Sequence, residues 1–516
     1  MGPARTPAVG IDLGTTYSAV ALLDDTGRPQ TLINAEGDTT TPSVVLFEEG
    51  EIVVGKEALK AVATDAEGVA LCAKRDLGQR TFHQVLGGRR YPPEAIEAWI
   101  LNKLRRDASR QIGDFRKVVI TVPAYFDETR RKATQDAGYM AGFDVMDIIN
   151  EPTAAAIAFG YHHGFLKDGA VAEPQTILVY DLGGGTFDVT VMEIRRDEFT
   201  ALATDGDVML GGRDWDERIV DLVSEEFIRR YGVDLREDPN VYGRLWRDCE
   251  DAKRTLSARS KATVACDYQG RAMRLEVSRQ TFEDITRDLL DRTAFTTRQT
   301  LQAAGLDWTD INRVLLVGGA SRMPAVYNLL RDLSGREPDC SVSPDEAVAQ
   351  GAALHAGALL AKHRGESPKL HIRNVNSHSL GVAATDVTTG RPRTAKLIPR
   401  NTPLPVTAKR IFKTRRPGQK SILVQIVEGE SNNPDDCSQI GKCVVRNLPP
   451  HLPAKTPIEV RFKYEENGRL MVTVKVEDAS VSLHHEIVRE NSLNREQLDS
   501  WRKYISGFEP PDISIG

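Results

Sequence analysis

Two short glycine turns of one design constrain this chain more than any other feature. Asp12-Leu13-Gly14-Thr15-Thr16 and Asp181-Leu182-Gly183-Gly184-Gly185-Thr186 share the form Asp-Leu-Gly-x-x, with a threonine close behind, and their aspartates lie 169 residues apart. Strand-like runs flank each turn, at 9–13 and 18–23 around the first and at 176–181 and 187–194 around the second. Such a duplication predicts two similar lobes, each offering one turn to a shared cleft. Further helices are expected at 92–111, at 127–141 (with many exposed charges), at 215–231 and at 242–256. Strands are expected at 117–123 and 313–317, and an alanine-rich helix at 344–362 with Pro344 near its start.

Glycine turns let backbone N–H groups reach phosphate oxygens without interference from side chains. The hydroxyls of Thr15, Thr16 and Thr186 can add donors. Asp12, Asp181 and Asp188 would repel a bare phosphate and make sense around a hydrated cation such as Mg²⁺, which keeps several waters and takes few carboxylates. A G-x-x-x-x-G-K-[ST] loop is missing, which excludes a Walker-type site.

After Arg364 the texture changes to short alternating segments, clearest at 421–427, 458–464 and 470–476, with Glu465-Glu466-Asn467-Gly468 as a hairpin signal between the last two. Residues 379–490 therefore read as a small antiparallel β-domain, and 494–506 as one short helix capped by Asn494. Residues 1–365 carry a net charge of −12, residues 366–420 carry +10, and the remainder carries −4. The basic segment either docks on the acidic domain or faces an acidic partner. Nucleic acid is not expected as a partner, since aromatics that could stack bases are sparse there, with only Phe412 among the basic residues.

A chain that is 41% apolar and 27% charged is neither disordered nor fibrous. No apolar run approaches the roughly 18 residues of a membrane span, and no signal peptide is read at the start. Six scattered cysteines without a C-x-x-C pair point to a reduced, cytoplasmic setting. Met1-Gly2-Pro3-Ala4-Arg5-Thr6 matches the myristoylation pattern formally and is read as chance, since Pro3 stiffens the segment.

The motifs carry a resemblance. The two turns, together with Val119-Ile120-Thr121-Val122-Pro123-Ala124-Tyr125-Phe126, Ile149-Asn150-Glu151-Pro152-Thr153-Ala154-Ala155-Ala156, Val317-Gly318-Gly319-Ala320-Ser321-Arg322 and Pro344-Asp345-Glu346-Ala347, are similar to those of the seventy-kilodalton heat-shock (DnaK-type) chaperones. The likeness is strong over about 8–362 and looser over 379–490. It implies an actin-like, two-lobed α/β ATPase domain (1–364), an interdomain linker (365–378), an antiparallel β-sandwich peptide-binding domain (379–490) and a short C-terminal helix and tail (491–516).

Carried over by position, the resemblance implies that Asp12 and Asp181 hold the waters of Mg²⁺, with Glu151 outside them. Gly14, Thr15, Thr16, Tyr17, Gly183, Gly184, Gly185 and Thr186 would wrap the phosphates of ATP or ADP. Lys74 and Asp188 would position and activate the attacking water, with Thr186 near the transferred group. Without the resemblance, Lys74 reads as an ordinary surface lysine. Glu250, Lys253, Arg254 and Ser257 share one helix face, where ion pairing is the simpler reading. The family assigns these four to the adenosine, with Arg254 and Arg322 about the base, Gly318, Gly319 and Ala320 beside it and Asp345 closing the pocket. Cys249 reads as packing. Pro123 and Arg131 match the relay to the neighbouring domain.

Several positions depart from the family. The linker Lys369-Leu370-His371-Ile372-Arg373-Asn374-Val375-Asn376 lacks the aspartate and reverses the charge, which weakens the expectation that it docks. Arg213 replaces an acid, Arg415 stands where a small residue arches over the peptide, and the loop 383–396 is long. Val382, Phe412 and Ile422 fall where the family lines its peptide pocket and equally where a sandwich has its core. Only a short helix follows the β-domain, so a bound peptide is expected to lie uncovered and to exchange fast. The function expected is an ATP-dependent, lidless chaperone that binds extended client segments, including acidic ones. By resemblance it would work with a J-domain co-chaperone and a nucleotide-exchange factor. The rival readings are a nucleotide-regulated scaffold for one acidic partner and a small-molecule kinase of the same superfold.

Overall fold

The structure is a computed structural model and describes residues 7–48, 50–167, 173–386, 388–446, 448–465, 469–476, 481–485 and 492–507. The 1–6 motif and the hairpin turn at 466–468 lie outside the described residues. Strand β1 (Val9–Asp12) pairs antiparallel with β2 (Tyr17–Leu23), which carries β3 (Pro29–Thr31). On its other side β1 runs parallel to β4 (Lys117–Val122), which carries β5 (Asp144–Asn150). β4 is almost continuously apolar and β-branched, as a parallel strand covered on both faces requires.

The second lobe repeats the plan. β6 (Gln175–Leu182) pairs antiparallel with β7 (Phe187–Arg195) and parallel with β9 (Arg313–Val317), and β8 (Glu198–Asp207) extends the sheet from β7. The aspartates of the two turns thus close matching strands, β1 at Asp12 and β6 at Asp181.

The helices α1 (Pro93–Ile112), α2 (Glu128–Met140), α3 (Glu151–His162), α4 (Gly212–Tyr231), α5 (Pro239–Ala258) and α6 (Ala347–His363) cover these sheets. Pro344 lies three residues ahead of α6, outside its first turn. Small residues let α6 press on α3, since a Cβ on Gly351 would fall 1.8 Å from the Ala154 carbonyl oxygen. In α2 the expected exposed charges are partly buried, with Glu128 and Asp136 each 4% exposed.

The linker forms a strand after all. β10 (His371–Arg373) runs parallel to β8, pairing Phe199 with Ile372, and Arg373 reaches Glu198 at 2.9 Å. Leu370 is buried in the same core as Phe199. Alternating apolar residues dock this segment, and the reversed charge meets an acidic strand.

Beyond the linker, two four-stranded sheets enclose one core. The first runs β12 (Pro392–Ile398), β11 (Leu380–Thr385), β14 (Ile422–Glu428), β15 (Ser438–Val445), and the second runs β13 (Val406–Lys413), β16 (Pro457–Tyr464), β17 (Leu470–Val476), β18 (Val481–His485). These β-sheets dock on the two-lobed part. Arg400 pairs with Asp205 at 2.6 Å, Asn401 Oδ1 accepts from the Thr204 N–H, and Ser377 Oγ donates to the Ala124 carbonyl.

The final helix, α7 (Arg495–Ile505), has the expected Asn494 cap, completed by Gln497 as a capping box. It lies on α1 and α2, where Leu498, Trp501 and Ile505 join the first lobe's core. Among the described residues no helix is long and apolar enough to cross a membrane.

Candidate functional site

The two turns meet across the cleft. A Cβ on Gly184 would lie 2.1 Å from Thr16 Oγ1, and one on Gly185 would lie 2.3 Å from Thr15 Cγ2. Each turn is also held from behind. Ser43 Oγ donates to the Gly14 carbonyl at 2.7 Å, while Gly212 and Arg213 at the start of α4 donate their N–H groups to the carbonyls of Gly183 and Gly184. The cleft between them has a volume of about 500 Å³.

Acidic groups gather at its floor. Thr121 Oγ1 donates to Asp12 Oδ1 at 3.1 Å, and the Tyr125 N–H donates to Asp188 Oδ1 at 2.9 Å. Burial, with Glu151 close by, pushes Asp12 up to about 7 and Asp188 up to about 8, and raises Asp181 well above the ordinary carboxylate range. Crowded carboxylates in a site of low polarity favour a bound cation. The hard-oxygen donors match Mg²⁺, although no group of three or more His, Cys, Asp or Glu among the described residues is placed to hold a metal ion directly.

Lys74 is not a surface lysine. It is 1% exposed, reaches Glu151 Oε1 at 2.6 Å and donates to the Leu13 carbonyl. Burial works against its charge, but Glu151 and Asp12 outweigh it and hold its pKa above the ordinary value.

At the other end of the cleft, Lys253 Nζ donates to Asp216 and to the Gly212 carbonyl, both at 2.8 Å. Arg254 bonds Glu250 at 2.7 Å and the Tyr17 hydroxyl at 2.8 Å, with its guanidinium 5.5 Å from the Tyr17 ring centre. Arg322 pairs with Asp345 at 2.8 Å. Ser257, Gly318, Gly319 and Ala320 complete this wall. The ion-pair reading and the ligand reading of the α5 residues therefore coexist, since the same side chains pair with one another and line the cleft.

The structure gathers most of the expected residues, with four exceptions. Gly185 and Asp188 stand behind the lining, as do Pro123 and Arg131. Arg131 ties the carbonyls of Ala124 and Phe126 to Asn150 Oδ1, the neighbour of Glu151. Asp216 lines the cleft with no mark in the sequence to single it out, and Arg213, read from the sequence only as the replacement of an acid, lines it too. Asp216 lies on α4 opposite Lys253, a pairing between helices that local spacing does not reveal. Arg213 sits 5.3 Å from the Trp246 ring centre and donates to Cys72 Sγ at 3.3 Å. Cys249 is fully buried, as a packing residue should be.

In the C-terminal sheets Val382 and Ile422 are 4% and 6% exposed within the core, and Phe412 is half-buried against it. The outward face of the second sheet is basic. Lys409, Lys413, Arg461, Lys463 and Lys475 are exposed around Glu459, with Ile411 and Met471 exposed among them.

Comparison with known proteins agrees with this geometry. The Hsp70 protein family model matches residues 8–86 and 82–509. A protein named chaperone protein DnaK from Halobacterium salinarum is 40% identical over 510 residues, covering 97% of this chain and 78% of its own length. The chaperone protein DnaK of Thermus thermophilus is 40% identical over 523 residues, covering 95% and 82%, and that of Metamycoplasma hominis is 40% identical over 509 residues, covering 97% and 82%. Two glycine turns closing on one acidic cleft, a β-part docked beside it and this extent of match all have one explanation: the chain belongs to the Hsp70 family.

Proposed function

We infer that the chain is an ATP-dependent molecular chaperone of the DnaK type, which binds ATP or ADP with Mg²⁺, hydrolyses ATP and holds unfolded clients. The observation that carries this reading is the convergence of the Gly14 and Gly184 turns over the buried carboxylates and Lys74. Residues 1–364 form the actin-like ATPase domain, 365–378 the linker, 379–490 the peptide-binding β-sandwich and 491–516 the terminal helix and tail.

In this reading Asp12 and Asp181 hold Mg²⁺ through water, with Glu151 in support. When bound, Mg²⁺ neutralises charge on the phosphate oxygens. The N–H groups and hydroxyls of Gly14–Tyr17 and Gly183–Thr186 cradle those oxygens. Lys74 and Asp188 orient the attacking water for in-line displacement, and burial makes each of their interactions stronger than it would be in bulk water. Glu250, Lys253, Arg254, Ser257, Gly318, Gly319, Ala320, Arg322 and Asp345 hold the nucleoside, and guanidinium groups suit the face of a flat base.

Pro123 and Arg131 pass the nucleotide state to the β-sandwich. Clients are extended peptide segments that meet Phe412 first, because it alone of the three pocket residues reaches out of the core. Val382 and Ile422 become available only if the sheets part. A J-domain co-chaperone and a nucleotide-exchange factor complete the cycle, in a reducing cytoplasmic setting that suits six free cysteines.

The basic outer sheet favours clients with acidic flanks, and this is the one observation that also suits an acidic-partner scaffold. Single-turnover ATP hydrolysis, with and without several unrelated extended peptides, decides between the two. Stimulation by many peptides supports the chaperone. Hydrolysis indifferent to all of them, with tight binding of one acidic partner, supports the scaffold.

A further inference from the structure

Two titratable side chains are buried where the β-sandwich meets the ATPase part. Glu428, the last residue of β14, is 5% exposed and accepts the Glu128 N–H at 3.0 Å, at the start of α2. Among the described residues, Asp127, Glu128, Arg131 and Tyr464 face it. Asp127 is tied to Arg130 at 2.6 Å, Glu128 is buried, Arg131 donates to carbonyls and to Asn150, and the Tyr464 phenol lies on the neighbouring sheet. The helix N-terminus favours the anion. Burial and then Asp127 outweigh it and raise Glu428 well above the ordinary value of 4.5, so it docks as the neutral acid.

His378 is the second group. Its Nε2 lies 2.9 Å from the Tyr125 carbonyl, which can only accept, so Nε2 carries the proton, and its ring packs 4.2 Å from the Tyr125 ring. The charged groups about it are committed elsewhere. Asp127 holds Arg130, Arg400 holds Asp205, and Glu430 takes Ser379 and Lys396. Burial lowers His378 below the ordinary 6.5, so it docks neutral as well.

We propose that docking of the β-sandwich on the ATPase part is proton-linked through Glu428 and His378, tightening as alkaline solutions are brought toward pH 6.5 and levelling below it. Separation returns both groups to water. At any pH above 4.5 and below the docked value of Glu428, docking takes up a proton there, so it strengthens as pH falls. Below 6.5 a separated His378 is protonated and must release that proton to dock, which cancels the gain. This linkage goes beyond the chaperone reading and does not depend on it.

Hydrogen exchange on the full chain tests the proposal through two amides, Glu128, which is covered by Glu428, and His371, which is bonded to the Asp197 carbonyl. The protection factors of both are expected to rise together as pH falls toward 6.5, by at most about tenfold per unit, and then to flatten. Glu428→Gln keeps an acceptor for the Glu128 N–H and should remove the slope above 6.5. His378→Gln should let the rise continue below it. Flat wild-type profiles, an unchanged slope in Glu428→Gln, or a response at Glu128 alone (fraying of α2) would each overturn the linkage. If a variant does not fold, the paired wild-type profiles decide by themselves.

Discussion

Tyr125 donates its backbone N–H to Asp188 Oδ1 at 2.9 Å, and its carbonyl accepts from His378 Nε2 at the same distance. A single residue thus joins the acidic floor of the nucleotide cleft to the docked β-sheets. Pro123 precedes it with a fixed φ, and Arg131 gathers the carbonyls of Ala124 and Phe126 around it. A change at Asp188 reaches this loop through that N–H and through the nearby charge of Arg131. Asp188→Asn should therefore lower single-turnover hydrolysis by about 10²–10⁴-fold, the range of a lost general base, while leaving ADP affinity near the wild-type value. Arg131→Ala should do the reverse, keeping basal hydrolysis and losing its stimulation by peptides. Equal losses of hydrolysis in both variants would contradict this division.

Lys74 is the cation among buried carboxylates. Lys74→Met leaves Glu151 and Asp12 uncompensated and should destabilise the nucleotide-free protein by about 3–5 kcal/mol in urea unfolding. Adding Glu151→Gln removes one of the stranded charges, so the double variant should be more stable than Lys74→Met alone. A double variant as unstable as the sum of the singles would mean that the two residues do not act as a pair.

The same carboxylates set a pH dependence. Asp12, raised to about 7, and Asp188, raised to about 8, each hold a proton in the folded, nucleotide-free state over a range where the unfolded chain, at the ordinary 3.8, has lost it. The folded state binds more protons there, so stability falls as pH rises from about 4 to 8. Mg²⁺ with ADP needs Asp12 in its ionised form and should bind more tightly as pH rises. Thermal unfolding at pH 6 and pH 8 should show a lower nucleotide-free Tm at pH 8 and a larger gain on adding Mg²⁺ and ADP. A nucleotide-free Tm higher at pH 8 would rule this out.

Elements with a strong local pattern were legible from the sequence. β9 falls on the expected 313–317, and the Asn494 cap of α7 is where the spacing puts it. The duplicated turns also foretold a shared cleft, because each half repeats one strand–turn–strand plan. What local pattern cannot report is which surface another element will cover. Glu128 looks solvated in α2 because the docked β14 is far away in sequence, and Asp136 because α1 lies beside it only in the fold. Lys74 is buried by a partner 77 positions away. The linker's reversed charge hid its docking, since both what that charge meets, Glu198 on β8, and the core that buries Leu370 lie far away in sequence.

The terminal helix gives the last prediction. Trp501 is 4% exposed and packs edge-on to Trp99 with ring centres 6.3 Å apart, beside Tyr91. Tyr139 lies between Arg495 and Arg502, 4.2 and 4.7 Å from its ring centre. Trp501 is the largest side chain that α7 sends into the lobe, between Leu498 and Ile505, so truncating it should release the helix and leave the lobe folded. Trp501→Ala removes packing worth about 3–5 kcal/mol and should abolish exchange protection over 495–505 while that of α1 persists. Trp501→Phe should be tolerated within about 1.5 kcal/mol, because the buried Nε1–H has no hydrogen-bond partner to lose. If Trp501→Ala keeps the helix protected, the Tyr139 and Asp499 contacts anchor it instead, and Tyr139→Ala should then free it.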